Sequence, residues 1–372
     1  MSAPAASDPL HVVEPTLVDQ TGHCHSFVSA VCAAGPTQRF VVWSGRAARP
    51  DLFAALPQVE LRPHFSRRVR RLQALLLYRR LLHSGARIFL PTAGTTEVTL
   101  VSVAAPRALA ADRASLFVHW LRGSTSQRRR LAAAARRQPS LNLLAPTDAI
   151  ADVLRSAGFR GVQRVAYPLS PQARPPRAPG PFRHLLFAGA ARLDKGFPRV
   201  VDLVERLARE GEALPLCIQT SSRHYEKHDE PIARELERLE RCAYPALRTQ
   251  PATLESAAYF ALFDGAICLQ PYDRAEFAGR VSAVTVDALA CGAPILTTAG
   301  TWMGAQVERF KAGLALEDLS APVLHEAART LIANYPQYSV NAREAARAIE
   351  REHDPAGLLS AVTSPRQTPV HA

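Results

Sequence analysis

The sequence predicts an α/β protein made of two doubly wound, Rossmann-like halves in tandem. Three observations lead there. Short apolar, β-rich runs alternate with longer amphipathic ones, the pattern of a parallel sheet covered on both faces. The alternation stops at the proline-rich segment 171–182, which sustains neither a helix nor a central strand, and then starts again. The length of 372 residues suits two domains of ordinary size.

In the first half, HVVEPTLV (11–18), RFVVWSG (39–45), RIFLP (87–91), SLFVHWL (115–121), LNLLAP (141–146) and VQRVAYP (162–168) read as strands. Between them SRRVRRLQALLLYRRLLH (66–83) and DAIADVLRSAG (148–158) read as helices. In the second half the strands are HLLFAGA (184–190), LPLCIQTS (214–221), GAICLQPY (265–272), PILTTA (294–299) and GLALE (313–317). Its helices start at Phe197, Pro231, Ser282 and Thr301, and a last helical stretch starts at Val340. The expected division is therefore a first domain over 1–170, the linker 171–182 and a second domain over 183–340. Helices over 341–362 are placed to pack back on the first domain, and the polar end 363–372 is expected to be disordered. Two such sheets imply a cleft, with ligands at the carboxyl ends of the strands.

Composition narrows the class. With 47% hydrophobic and 21% charged residues the chain is globular. No apolar run approaches the ~20 residues of a spanning helix. The start, MSAPAASDPL, lacks the basic and apolar parts of a signal peptide. Six scattered cysteines without a C-x-x-C pair suggest reduced thiols in a cytoplasmic protein, not a disulfide framework or a zinc site.

The net charge of +12 is uneven. Residues 1–181 carry 24 Arg against 9 acids, or +15, and the remainder carries −3. The stretch 62–87 holds eight arginines and no acid, and 122–138 holds six and no acid. In 66–83 arginines flank a body containing Leu72, Leu75, Leu76, Leu81 and Leu82. Such a helix suits an anionic membrane surface, and equally a core helix with a solvated basic face. Nucleic acid is not an expected partner, because no aromatic-interleaved or zinc-finger pattern accompanies the charge.

Two segments carry chemistry. In LLFAGAARLDKGF (185–197) a strand ends at Gly189, and a loop of small residues leads to Arg192, Lys195 and Gly196, then a helix. Glycine allows close backbone approach, and a helix start offers N–H groups to an anion. Arg192 can fork two phosphate oxygens while Lys195 supplies a point charge, so a diphosphate fits; an ordinary strand-loop-helix with solvated cations fits the same letters. In the second segment, DALACGAP (287–294), Asp287 reads either as a polar-face residue or, given its neighbours Val284, Val286, Ala288 and Leu289, as a carboxylate in need of a partner, for which a ribose diol is a candidate. No Asp-x-Asp pair, G-x-S-x-G elbow or Walker loop is present. The GHCHSF loop (22–27) and the pair His224 and His228 lack further spaced ligands, so no metal is expected.

These two segments resemble the second domain of GT-B glycosyltransferases of the "glycosyl transferases, group 1" family. The family's G-x-x-x-x-x-K-G loop is similar to Gly189 through Gly196, with an arginine before the lysine. The end of its E-x7-E…A-x-A-x-G-x-P motif looks like DALACGAP. The similarity covers 184–318. It thins in the first half to Gly22 and His23 after the first strand and to His119 at a strand end.

The resemblance implies a GT-B architecture, two Rossmann-like doubly wound domains facing across a cleft. It also implies a metal-independent, retaining, hexosyl-type transferase using a nucleotide-diphosphate sugar and no cofactor, acting on a glycan or lipid-linked acceptor at the cytoplasmic face of a membrane. It places Gly189, Arg192, Lys195, Gly196, Tyr272, Arg280, Ser282 and Asp287 on the donor, Gly22 and His23 at the donor or acceptor loop, and His119 near the sugar. The family's first glutamate falls on Gly279, and the nearest acid is Glu276, so Glu276 takes the catalytic place or that function is lost. Gly300, Thr301 and Trp302 resemble a subgroup with this divergence. The divergence keeps a non-catalytic GT-B scaffold subunit open as an alternative, beside an epimerase or phosphorylase on the same architecture.

Overall fold

The computed structural model describes residues 8–20, 23–105, 107–121, 124–169, 180–221, 230–252 and 254–364. The bulk of the linker 171–182, Gly22, His224, His228 and residues 365–372 of the tail lie outside the described residues. The chain divides into two compact units, one formed by 1–171 with 353–372 and the other by 172–352.

The first unit runs β1 (Leu10–Val13), α1 (His23–Ala33), β2 (Phe40–Gly45), β3 (Val59–Phe65), α2 (Arg70–His83), β4 (Arg87–Ala93), α3 (Thr95–Ala104), β5 (Ala114–Val118), α4 (Thr125–Arg137), β6 (Asn142–Ala145), α5 (Asp148–Ser156) and β7 (Val162–Arg164). Among the described residues its strands form a seven-stranded sheet in the order β3-β2-β1-β4-β5-β6-β7, with every pairing parallel. On one face α2, α3, α4 and α5 bury Leu77, Tyr78, Val98, Leu131 and Leu154 in a common core. Phe27 of α1 meets Phe117 and Tyr167 edge-on at 5.1 and 5.2 Å in a second aromatic packing group.

The second unit runs β8 (His184–Phe187), α6 (Phe197–Glu210), β9 (Leu216–Gln219), α7 (Glu230–Arg241), β10 (Leu247–Gln250), α8 (Ser256–Ala261), β11 (Ala266–Gln270), α9 (Arg274–Phe277), α10 (Ala283–Ala290), β12 (Ile295–Thr298), α11 (Trp302–Phe310), β13 (Gly313–Leu316), α12 (Ala321–Ala333) and α13 (Tyr335–Glu352). Its described strands form a six-stranded parallel sheet in the order β10-β9-β8-β11-β12-β13. The chain then returns to the first unit as α14 (Pro355–Thr363). There the Asn142 amide donates to the Ala361 carbonyl at 2.9 Å, and Leu359 packs on Gly35.

Several boundaries differ from the sequence reading. The first strand ends at Val13, because Glu14 and Pro15 begin a turn, rather than reaching residue 18. Two strands, β3 and β10, had no counterpart in that reading. Both lie at sheet edges and are largely exposed, so neither carries an apolar run. The stretch 341–362 falls on both sides of the division: α13 starts at Tyr335 and stays with the second unit, and only α14 belongs to the first.

Candidate functional site

In each sheet the strand order reverses once, between β1 and β4 in the first and between β8 and β11 in the second. Crevices form outside the carboxyl ends of strands at such reversals.

In the second unit that place is occupied by the loop after β8. Gly189 has φ +91°, and a Cβ on it would lie 2.6 Å from Lys195 Nζ and 3.4 Å from Val284. Its N–H donates to the Gln219 side chain at the end of β9. A single 3-10 turn, Leu193–Lys195, carries the cations. It ends at Gly196, φ +69°, where a Cβ would overlap the Pro271 carbonyl oxygen. Only glycine lets the loop lie against the strand end here. The Asp273 N–H donates to the Asp194 carbonyl at 2.9 Å, tying this loop to the one after β11.

The charges are arranged around Asp194. Arg192 grips its carboxylate through two N–H groups, with Nε at 2.8 Å, and Arg280 Nη1 approaches it at 3.5 Å. Arg280 also lies over the Phe277 ring at 4.8 Å. Burial and the Arg192 charge hold the Arg280 guanidinium below its ordinary pKa. Lys195 is partly buried, and its ammonium lies 5.6 Å over the Tyr272 ring. It forms no hydrogen bond or salt bridge among the described residues. Burial first, then Arg192 and Arg280, push its pKa down to about 8.

The two helix starts at this place are unequal. At α6 the Phe197 N–H is taken by the Arg192 carbonyl, and Pro198 has none to offer. The α6 start therefore contributes less to an anion than its sequence implies. At α10, where Ser282 is the N-cap, the N–H groups of Val281, Ser282, Ala283 and Val284 have no acceptor among the described residues. Val281, Ser282 and Val284 are nonetheless buried. The first N–H groups of a helix have no intrahelical acceptor, and the Val284 side chain lies close to Gly189, so the α10 start offers donors near the loop after β8.

Polar side chains brace the floor. Thr285 donates to Gln270 at 2.6 Å, Thr297 to the Gln270 carbonyl at 3.0 Å and Thr298 to the Tyr272 carbonyl at 2.6 Å. The Tyr272 hydroxyl is fully buried and close to Ser282, yet outside good hydrogen-bond geometry. Asp287 accepts from the Tyr259 hydroxyl at 3.2 Å, and burial together with that carboxylate raises the Tyr259 pKa. Glu276 sits on the short α9, which Asp273 caps, near enough to Arg280 to stabilise its charge.

Thus Gly189, Arg192, Lys195, Gly196, Tyr272, Arg280 and Ser282 converge at one place, with Asp287 further along α10. Asp194, Tyr259 and Gln270 were not read from the sequence. Gln219 and Gln270, each a polar residue closing an apolar strand, were its one visible signal.

In the first unit, His119 follows β5. Its N–H donates to the Ala93 carbonyl at 3.1 Å, and its ring lies 5.5 Å from Tyr167. His23 is the first residue of α1. Between β1 and β4 the buried carboxylate of Glu14 accepts from Thr16 Oγ1 at 2.6 Å and from Thr92 Oγ1, and burial raises its pKa. Among the described residues no group of three or more His, Cys, Asp or Glu is placed to hold a metal, and no helix is long and apolar enough to cross a membrane.

Two parallel α/β units in tandem, each with its strand-order reversal, are the parts of which the GT-B fold is made. Solved structures it resembles include glycosyltransferases of that fold. WaaG, a glycosyltransferase involved in lipopolysaccharide biosynthesis, aligns with TM-score 0.67 at 16% identity over 95% of this chain and 100% of its own. Anabaena Alr3699/HepE in complex with UDP-glucose aligns with TM-score 0.69 at 12% identity, over 95% and 98%. Sucrose-phosphate synthase from Thermosynechococcus elongatus aligns with TM-score 0.67 at 14% identity, over 92% and 94%. No family model matches the sequence, and no curated protein matches it.

Proposed function

We propose that the chain is a glycosyltransferase that moves a sugar from a nucleotide-diphosphate sugar to a glycan or lipid-linked acceptor, with retention and without a metal, in the synthesis of a surface polysaccharide or glycolipid. The observation that carries this reading is the convergence of Arg192, Lys195 and Arg280 at the β8/β11 reversal, near the start of α10, whose N–H groups from Val281 to Val284 have no acceptor among the described residues. The fold supports it, and Alr3699/HepE, which shares that fold, binds UDP-glucose.

The chemistry follows from charge. Breaking the sugar–phosphate bond leaves negative charge on the diphosphate. Preorganised N–H groups, Lys195, Arg192 and Arg280 stabilise that charge as it develops. Asp287, steadied by Tyr259, accepts from the ribose hydroxyls. In this reading Glu276 holds the sugar, His119 lies near it, and Gly22 and His23 border the donor or acceptor. The protein works peripherally on the cytoplasmic face of a membrane, drawn there by 62–87.

The Arg192→Ala/Lys195→Ala double variant should lose turnover by more than about 10²-fold while keeping its circular dichroism and thermal midpoint. Unchanged turnover would sink the assignment. Gly279, in the place of the family's first glutamate, favours a second reading, a non-catalytic GT-B subunit. Such a subunit would bind nucleoside diphosphate but release none from any sugar donor, whereas an enzyme releases it with one.

A further inference from the structure

We propose that the outer edge of β13 is a self-pairing surface, through which two copies of this chain join with their β13 strands antiparallel about a two-fold axis. This goes beyond the reading above and stands on the second unit alone.

Among the described residues the two sheets have four edge strands, β3, β7, β10 and β13. Three are guarded by their own side chains. VELRPHF carries Glu60, Arg62 and Pro63, VQR ends on Arg164, and LRTQ carries Arg248. Charges and proline on an edge keep other strands away. GLAL, the whole of β13, has neither. Its bonds to β12 use alternate residues: the Ile295 N–H donates to the Ala312 carbonyl at 2.9 Å, and the Ala299 N–H to the Leu316 carbonyl at 2.8 Å. Gly313 and Ala315 therefore turn their peptide groups to the open side, where no described residue bonds to them. Leu314 lines an apolar groove there with Pro322, Val323 and Ala327 of α12.

Charge selects the occupant and the register. In an antiparallel pair, outward-facing residues must meet outward-facing residues. Setting Gly313 opposite Ala315 of the second copy places Leu314 against its own counterpart on the axis. It also sets Lys311 opposite Glu317 of the second copy, and by symmetry this ion pair forms twice. The neighbouring registers set Lys311 against Ala315 or Leu319 and lose both pairs. Lys311 is exposed and makes no salt bridge among the described residues. Glu317 pairs with Arg274 at 2.8 Å yet keeps 72% of its side chain exposed, so it can take a second cation. A base three residues before Leu314 and an acid three residues after it are what an isologous contact requires and an unrelated strand does not.

Sedimentation velocity over a wide range of concentration tests this. The expected result is a dimer that dissociates on dilution. Ala315→Pro removes an outward N–H that β12 does not use, so it should give a monomer with an unchanged circular dichroism spectrum. Lys311→Glu and Glu317→Lys should each weaken the dimer by about tenfold or more. Mixed together, these two variants should pair with each other as tightly as the wild type pairs with itself, since each supplies the charge the other lacks. Three outcomes would overturn the proposal: a monomer at every concentration, which leaves the edge to a strand of another protein; a dimer indifferent to Ala315→Pro; or a mixture of the charge variants no tighter than either alone. UDP affinity should be equal in all these forms, so failure here leaves the nucleotide reading standing.

Discussion

Raising the pH from 7 to 9 should weaken nucleoside-diphosphate binding about tenfold, and Lys195 is the reason. Its pKa stands at about 8, against about 10.4 for an ordinary lysine. A diphosphate beside the ammonium restores the ordinary value, so binding to the neutral amine requires proton uptake. The sign follows. The depressed value means that charge, and with it affinity, is lost as pH rises through about 8, and nothing is gained by going below 7. The dissociation constant scales as 1 + 10^(pH−pKa), about 1.1 at pH 7 and about 11 at pH 9. Isothermal titration of UDP in two buffers of different ionisation enthalpy reads both the affinity and the proton, and close to one proton per UDP is expected at pH 9. Lys195→Arg, which stays charged, should flatten the profile. A flat wild-type profile between pH 7 and 9, or an equal slope in the arginine variant, would refute the reasoning.

Gly196→Ala should destabilise the protein by at least about 2 kcal/mol, since it adds left-handed strain to an overlap with the Pro271 carbonyl; a lowered denaturant midpoint measures it. Asp194→Ala releases Arg192 and Arg280 from their common anchor. Donor kcat/KM should then fall by about tenfold with little change in thermal midpoint, and an undiminished value would make Asp194 a mere surface acid. Tyr259→Phe removes the hydroxyl that donates to Asp287. It should cost about 1 kcal/mol of stability and weaken UDP while leaving inorganic pyrophosphate inhibition unaltered, because the change lies on the nucleoside side.

Legibility in the sequence tracked burial. The central strands LLF (185–187) and AICL (266–269) are buried, so their apolar runs announced them. VELRPHF and LRTQ were silent, because an edge strand keeps one side in water and can be polar. The Gly189-to-Gly196 loop was readable because positive φ and cation spacing leave marks on the letters. Asp194 was not, because one acid beside an arginine looks like any surface pair until the fold brings Arg280 to it from 86 residues away. Asp287 was readable as a carboxylate in need of a partner, but Tyr259 comes from α8, a six-residue helix too short to show a period.

The return of α14 to the first unit has a consequence for biosynthesis. The amide of Asn142 and the face of Gly35 wait for residues 359–361, and residues 172–352 must leave the ribosome first. At about 5–20 residues per second that is roughly ten to forty seconds. Throughout it, the nascent first unit exposes an apolar patch that its own last helix will later cover. The second unit, encoded in the middle, can close before the first is finished, so this interval is when a chaperone has most to hold.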